Sequence, residues 1–245
     1  MKKAVCLLSG GLDSATALYA ARGEGYELTA LSFDYGQRHR KELEAAKKIT
    51  LQLRIPHSII PISLPWGGSA LVDTAIPIPL NRDEFQMNQN VPMTYVPARN
   101  SIFLTFAASC AEAIGAGYIF IGANAIDYSG YPDCRPEYFQ AFERLLQVGT
   151  KAGVEGRSIQ IKAPLLTLNK KEIVLLGKEL GVPFGTTWSC YTGGETPCGQ
   201  CDSCLLRAKG FCEAGLEDPL IVSSSPFPPQ KRRIRPLAER NQGEE

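Results

Sequence analysis

Short apolar segments alternate with helical segments along most of the chain, and this alternation constrains the fold more than any other sequence feature. Five segments have the length and apolar character of buried strands, namely residues 4–8, 28–33, 57–62, 118–122 and 158–165. Five others have helical periodicity or helix-end signals, namely residues 12–22, 41–54, 100–115, 136–149 and 169–181. Alternation of this kind is typical of parallel sheets covered on both faces. We therefore predict an α/β fold with an open parallel sheet and helices on both faces, the third helix capped by Asn100 or Ser101.

The composition is that of an ordinary globular chain, with 44% hydrophobic and 21% charged residues among 245. The 26 basic and 25 acidic residues nearly cancel, which argues against a nucleic-acid or membrane partner. The apolar run at residues 4–8 is shorter than the core of a secretion signal, and no run approaches the roughly 18 residues of a membrane span. We expect a cytoplasmic protein, with an α/β domain over residues 1–182, a small metal-binding knot over 183–222 and a flexible tail over 223–245.

The sharpest motif, SGGLDS at residues 9–14, lies between the first predicted strand and the first predicted helix. Free N–H groups and the helix dipole make such a junction an anion site, and paired glycines allow an anion to approach closely. The motif is neither G-x-x-x-x-G-K-[ST] nor G-x-G-x-x-G. The alternative is a tight turn capped by Asp13 or Ser14.

The segment resembles the pyrophosphate-binding loop of the PP-loop ATP pyrophosphatase superfamily, and this resemblance implies that it binds the phosphates of ATP, with Asp13 holding Mg²⁺ or a phosphate-bound water. On this hypothesis Asp13→Ala loses turnover but little stability. The candidate ATP-binding residues are Leu8, Ser9, Gly10, Gly11, Leu12, Asp13, Ser14, Ala15, Thr16, Ala17 and Leu18.

Four of the eight cysteines are clustered near the carboxyl end of the chain, at Cys190, Cys198, Cys201 and Cys204. Thiolates at this spacing can converge on one tetrahedral Zn²⁺, and four sulfur ligands leave no open position, so the ion would be structural. An iron–sulfur cluster and four unrelated thiols are the alternatives. We expect Cys6, Cys110 and Cys212 to be buried packing residues, and Trp188 and Phe184 to pack against the knot.

Other candidate site residues follow predicted strands, where ligands of parallel sheets bind. We expect Asp34 and Tyr35 to contact adenosine and Arg38 to bind a phosphate. His39 and Arg40 either take part in the site or form a solvated helix start. Arg99 opens a helix, where a cation is disfavoured, so we expect an anionic ligand beside it. The loop at 122–137 contains Asn124, Asp127, Tyr128, Tyr131 and Asp133, which can pair with a purine-like base or ligate Mg²⁺. Helix capping is the alternative role of Asp133. The candidate catalytic residues are Asp13, Arg99 and Asp133, and residues 64–97 are the candidate lid.

Six motifs together carry a family resemblance. The loop SGGLDS resembles the pyrophosphate-binding loop of the PP-loop ATP pyrophosphatase superfamily. It is followed in order by FDYGQRH, YVPARN, GANAIDYSGYPDCRPE, TLNKKEI and CGQCDSC. This set is similar to the 7-cyano-7-deazaguanine synthase family of queuosine biosynthesis, over about residues 3–214.

The resemblance implies a homodimeric ligase that uses 7-carboxy-7-deazaguanine, ammonia and two ATP, with Mg²⁺. One ATP would adenylate the carboxylate, ammonia would give an amide, and a second ATP would activate the amide oxygen for loss to a nitrile. The alternatives are another PP-loop adenylating enzyme acting on tRNA, and a zinc-binding module without catalysis.

Overall fold

The computed structural model describes residues 1–126 and 131–224. Within these residues one sheet of five parallel strands is formed by β1 (Lys3–Leu7), β2 (Glu27–Asp34), β3 (His57–Pro61), β4 (Tyr118–Phe120) and β5 (Gln160–Lys162). The strand order is β3-β2-β1-β4-β5. The predicted parallel sheet is therefore confirmed. From β1 the chain first adds β2 and β3 on one side, and then returns to add β4 and β5 on the other side, so the strand order reverses between β1 and β4.

The described helices include the five predicted from the sequence and four short or late ones. They are α1 (Leu12–Gly23), α2 (Lys41–Leu53), α3 (Glu84–Asn88), α4 (Arg99–Ile114), α5 (Pro136–Gly149), α6 (Lys151–Val154), α7 (Lys170–Glu179), α8 (Asp202–Glu213) and α9 (Pro219–Ser224). None of the described helices is long and apolar enough to cross a bilayer.

The strand side chains alternate between two cores, one on each face of the sheet. Ala4 and Cys6 of β1 pack in a core completed by α1, α2, α7 and α8. Val5 and Leu7 of the same strand pack in the other core, with α4 and α5. This alternation is the period of two expected for a strand buried on both faces, and it explains the continuous apolar runs in the sequence.

Several local predictions are wrong. The residue that caps α4 is Ala98, with φ 54 and no side-chain hydrogen bond, instead of Asn100 or Ser101. Cys212 is exposed and Cys110 is half-buried, so of the three predicted packing cysteines only Cys6 is fully buried.

Two aromatic residues near the cysteines have different neighbours. Phe184 packs in the core beneath α1, with its ring centroid 5.2 Å from that of Phe211 in α8, and not on the knot. Trp188 does pack against Cys190, Cys201 and Cys204. The predicted packing against the knot is therefore confirmed for Trp188 and wrong for Phe184.

The long loop at residues 64–97 is joined to the cysteine region. Leu80 forms an antiparallel bridge with Cys201, and Asn81 N donates to Gln200 O at 2.8 Å. Arg82 makes an ion pair with Asp202, whose side chain is buried. The loop also contains α3, which begins with a capping box between Asp83 and Gln86. That this loop acts as a lid stays a prediction, as does the domain division at residue 182. Asp127, Tyr128 and the tail beyond residue 224 lie outside the described residues.

Candidate active site

A cavity of about 250 Å³ opens at the carboxyl ends of β1, β2 and β4. It lies where the strand order reverses, which is the usual ligand position in doubly wound sheets. The start of α1 forms one wall and the start of α4 forms another. The predicted site residues that line this cavity are Leu8, Ser9, Gly11, Leu12, Asp13, Ser14, Tyr35, His39, Arg99, Asn124 and Tyr131.

Four of the predicted ATP-binding residues lie elsewhere. Ala15, Thr16, Ala17 and Leu18 are fully buried in the core below α1. The Thr16 hydroxyl donates to Leu12 O at 2.8 Å within the helix. These residues support the loop from below, and their side chains do not form the cavity wall.

The loop at residues 9–14 is organised by two serine hydroxyls. Ser14 Oγ accepts from the N–H groups of Ser9 and Gly10, both at 3.2 Å, and Ser9 Oγ accepts from Gly11 N at 3.1 Å. The two hydroxyls lie 2.9 Å apart. The N–H groups of the loop are thus paired with its own hydroxyls, and the loop lies at the amino end of α1, where an anion is favoured.

Gly10 is the position in this loop that requires glycine. Its φ is +95, and a Cβ there would lie 2.0 Å from Glu42 O and 2.7 Å from Ala46 N. The backbone of α2 therefore passes directly beside the loop. Trp188 N donates to Gly10 O at 2.9 Å and fixes the loop from the other side.

Asp13 is paired with a lysine that the sequence analysis missed. Lys170 Nζ lies 2.9 Å from Asp13 Oδ1 and 2.8 Å from Oδ2, and Lys170 is 7% exposed. Lys170 is the first residue of α7. A cation is disfavoured at a helix start, so the argument that singled out Arg99 applies equally to Lys170 and was the available signal.

Arg99 enters the cavity as the first residue of α4 and is half-buried. Its Nη1 lies 3.3 Å from Tyr35 OH, and its guanidinium carbon is 5.9 Å from the ring centroid of Phe103. Burial raises the pKa of Tyr35 to about 12, so this hydroxyl is neutral at neutral pH. Within residues 1–126 and 131–224 no carboxylate forms an ion pair with Arg99.

Asp133 supports the cavity from outside its wall. Its Oδ2 accepts from Asn100 N at 3.2 Å, and Asn100 Nδ2 donates to Asp133 O at 3.0 Å. Asp133 therefore satisfies an orphan N–H in the first turn of α4, which is the capping alternative. Burial raises the pKa of Asp133.

The predicted site residues after β2 contact different parts of the protein. Arg38 Nη2 donates to the carbonyls of Asp73 and, at 2.8 Å, Ile76, so it binds the long loop and not the cavity. Arg40 is exposed and pairs with Asp34. His39 is buried, which excludes the solvated alternative for this residue, and its Nε2 lies 3.4 Å from Glu42 Oε1.

The four clustered cysteines form a candidate metal centre. Their sulfur atoms all lie within 4.8 Å of one another. One tetrahedral ion with bonds of about 2.3 Å holds its sulfurs about 3.8 Å apart, so the site fits a single ion, whereas a cluster of several irons holds its thiolates farther apart. Backbone N–H groups of Cys198 and Cys201 point at sulfurs at 3.3 Å, which stabilises thiolate charge.

Helix α8 connects this centre to the cavity. Cys201 is its N-cap residue, Cys204 lies in its first turn, and Ser203 and Arg207 of the same helix line the cavity. Arg207 is buried and pairs with Asp218 at 2.6 Å.

Comparisons with known proteins agree with these observations. The sequence profile of the family described as Queuosine biosynthesis protein QueC matches residues 3–215. A protein named 7-cyano-7-deazaguanine synthase from Trichodesmium erythraeum is 56% identical over 221 residues, covering 89% of this chain and 100% of that one. One of the same name from Desulfitobacterium hafniense is 56% identical over 221 residues, covering 90% and 93%. Among solved structures, NMN synthetase from Francisella tularensis aligns with a TM-score of 0.45 and 20% identity, covering 91% of this chain and 78% of that one.

Proposed function

The chain belongs to the QueC family of queuosine biosynthesis proteins, and we propose that it is an ATP-dependent ligase that converts 7-carboxy-7-deazaguanine and ammonia to 7-cyano-7-deazaguanine. The observation that carries the proposal is the cavity itself. It combines a phosphate-type loop on one wall with an arginine that has no carboxylate partner among the described residues on the other. Two anionic reactants, ATP and a carboxylate, fit these two walls.

In the proposed adenylation, a carboxylate oxygen of the substrate attacks the α-phosphorus of ATP and pyrophosphate leaves. The loop at residues 9–14 lies at the amino end of α1, where the helix dipole and the hydroxyls of Ser9 and Ser14 would stabilise the charge that develops on pyrophosphate. Lys170 lies at the same end of the cavity as the ion-pair partner of Asp13, and would contact a phosphate oxygen as Asp13 takes up Mg²⁺. Mg²⁺ held through Asp13 would neutralise phosphate oxygens.

Arg99 is the proposed binder of the substrate carboxylate. A guanidinium makes strong charge-assisted hydrogen bonds to a carboxylate, and the apolar surroundings at Phe103 strengthen them. The proposed role of Asp133 is indirect, because it holds the first turn of α4 on which Arg99 lies.

The remaining steps follow from atom balance. Ammonia attacks the acyl carbon, AMP leaves with one of the original carboxylate oxygens, and an amide results. The amide oxygen then attacks the α-phosphorus of a second ATP and pyrophosphate leaves, and loss of AMP and of both amide N–H protons gives the nitrile. Both carboxylate oxygens therefore leave on AMP, which requires two ATP for each product.

We also propose that the cysteine centre holds one structural Zn²⁺ and that the enzyme is a cytoplasmic homodimer. A cluster of reduced cysteines is typical of proteins in reducing compartments. Large apolar side chains exposed on α5 and α6, Leu145, Val148 and Val154, offer a surface for a second copy.

The test uses pure protein, Mg-ATP, ammonium and the acid labelled with ¹⁸O in both carboxylate oxygens. We expect two AMP for each nitrile, and one ¹⁸O atom in each AMP. Release of ADP, unlabelled AMP, or a final product that stays at the amide would contradict the mechanism. Inactivity on the acid together with AMP release in the presence of tRNA would favour the tRNA-modifying alternative.

A further inference from the structure

A buried carboxylate in the cavity wall has no role in the steps above. Glu42 is 8% exposed and lies in the first turn of α2, beside the phosphate loop, because its carbonyl oxygen is the atom that excludes a side chain at Gly10. We propose that Glu42 binds the ammonium ion and takes its proton as the amide forms. This inference rests on the proposed function and names the site of its second substrate.

Two side chains contact one oxygen of Glu42. Gln37 Nε2 donates to Oε1 at 3.1 Å, and His39 Nε2 lies 3.4 Å from the same oxygen. Gln37 is itself fixed, since its Oε1 accepts from Tyr35 N at 2.8 Å and its Nε2 also donates to Phe33 O. The orientation of the Gln37 amide is thus set by its partners, and a donor is turned towards Glu42.

Among the residues that the structure describes, the contacts of Glu42 are made by its Oε1, no hydrogen bond to Oε2 is found, and no lysine or arginine forms an ion pair with Glu42. A buried carboxylate with no lysine or arginine partner, and with one histidine 3.4 Å from its other oxygen, is costly to retain. The cavity therefore contains an oxygen that favours a small cationic donor.

Ammonium fits this oxygen better than Mg²⁺ does. The neighbouring polar atoms at Oε1 are N–H donors, which repel a metal ion, and Mg²⁺ requires several oxygen ligands in octahedral geometry. Ammonium needs one strong acceptor and is further stabilised by aromatic faces. Tyr35, Trp188 and Tyr191 line the same cavity.

The chemistry also needs a base at this place. Ammonium has no lone pair, so one proton must leave before nitrogen can attack the acyl carbon. Moving that proton to Glu42 Oε2 removes two charges, which the burial of Glu42 favours. Ammonia then forms the C–N bond, the C–O bond to AMP breaks, and the second proton leaves with the AMP phosphate. His39 is a positioning residue, because it contacts Glu42 and not the reacting atoms.

The decisive variant is Glu42→Gln, which keeps the shape and removes the charge. At neutral pH we expect the KM for ammonium to rise by roughly 10- to 100-fold, the effect of losing one charged hydrogen bond. Exchange of labelled pyrophosphate into ATP, which requires only the acid and Mg-ATP, should stay within about twofold of wild type. Hydroxylamine is largely uncharged at neutral pH, so its conversion of the adenylate to a hydroxamate should also be retained.

The matched control is Glu44→Gln, which makes the same change at an exposed position of α2. We expect it to leave the KM for ammonium unchanged. Thermal unfolding establishes that each variant is folded. An unchanged KM for ammonium would overturn the proposal. Loss of pyrophosphate exchange in folded Glu42→Gln would also overturn it and would assign Glu42 to the nucleotide, its Mg²⁺ or the deazaguanine. If wild type itself makes no nitrile, the proposed function fails, which is a different result.

Discussion

Replacing Asp13 by alanine should lower stability as well as activity. Both oxygens of Asp13 contact Lys170 Nζ, at 2.9 and 2.8 Å. The side chains are 25% and 8% exposed respectively. Removing one member of a fully buried ion pair costs about 3–5 kcal/mol. Because water reaches Asp13, we reduce this to about 2 kcal/mol. The sequence alone suggested an exposed carboxylate whose loss would hardly affect folding, so the structure changes this expectation.

The assay is urea unfolding of the ligand-free protein in a double-mutant cycle. Asp13→Ala, Lys170→Met and the double variant are compared with wild type. We expect the double variant to be more stable than the sum of the single losses predicts, by about 1–2 kcal/mol, because an apolar residue at 170 no longer needs a carboxylate. The control is Glu24→Ala, at an exposed acidic residue that follows the same helix, where the change should stay within about 0.5 kcal/mol.

Two results would refute this reasoning. If Asp13→Ala is as stable as wild type, Lys170 is not held by this contact. If the single losses simply add, the two side chains do not interact in solution, and the contact cannot be what orients Lys170 towards the cavity.

Three other changes have expected outcomes. Arg99→Gln should lower kcat/KM for the acid roughly 10- to 100-fold and leave the conversion of the neutral amide to the nitrile unchanged. Each compound is assayed as the starting substrate. Equal losses with both compounds would show that Arg99 binds phosphate or supports folding. Gly10→Ala should abolish ATP binding in calorimetry, because its Cβ would lie 2.0 Å from Glu42 O, whereas Gly25→Ala, at φ +80 with open space, controls for backbone strain alone. Cys198→Ser should lower both the bound zinc and the Tm, and wild type with less than half an equivalent of zinc would contradict the metal assignment.

The parallel sheet, the phosphate-type loop and the cysteine centre were predictable from the sequence because their signals are local. Apolar runs, paired glycines and cysteines two residues apart are read within a few positions. The strand order was not predictable in this way, since β1 pairs with both β2 and β4, and the second partner begins more than a hundred residues later.

The partners of the site residues were not predictable for the same reason. Asp13 and Lys170 are 157 residues apart, and the acceptor for Asn100 N comes from Asp133. The burial of His39 depends on α2 and on Tyr191, whose ring centroid lies 5.7 Å from that of His39. A local pattern indicates that a positively charged residue at a helix start needs an anionic partner. Only the packing of distant segments shows which anion that is.

Helix α8 links the candidate metal centre to the cavity wall, which it lines with Ser203, Leu206 and Arg207. Arg207 donates to Thr187 Oγ1 at 2.8 Å and to Ser189 Oγ at 3.2 Å, and so holds the segment on either side of Trp188. Trp188 N in turn holds Gly10 O at 2.9 Å. Cys201 caps the helix that carries Cys204 and Arg207, so an ion bound by these cysteines would also fix the support of the loop at residues 9–14. On the proposed function, a centre with four sulfur ligands and no open position would therefore still affect how tightly this loop binds ATP.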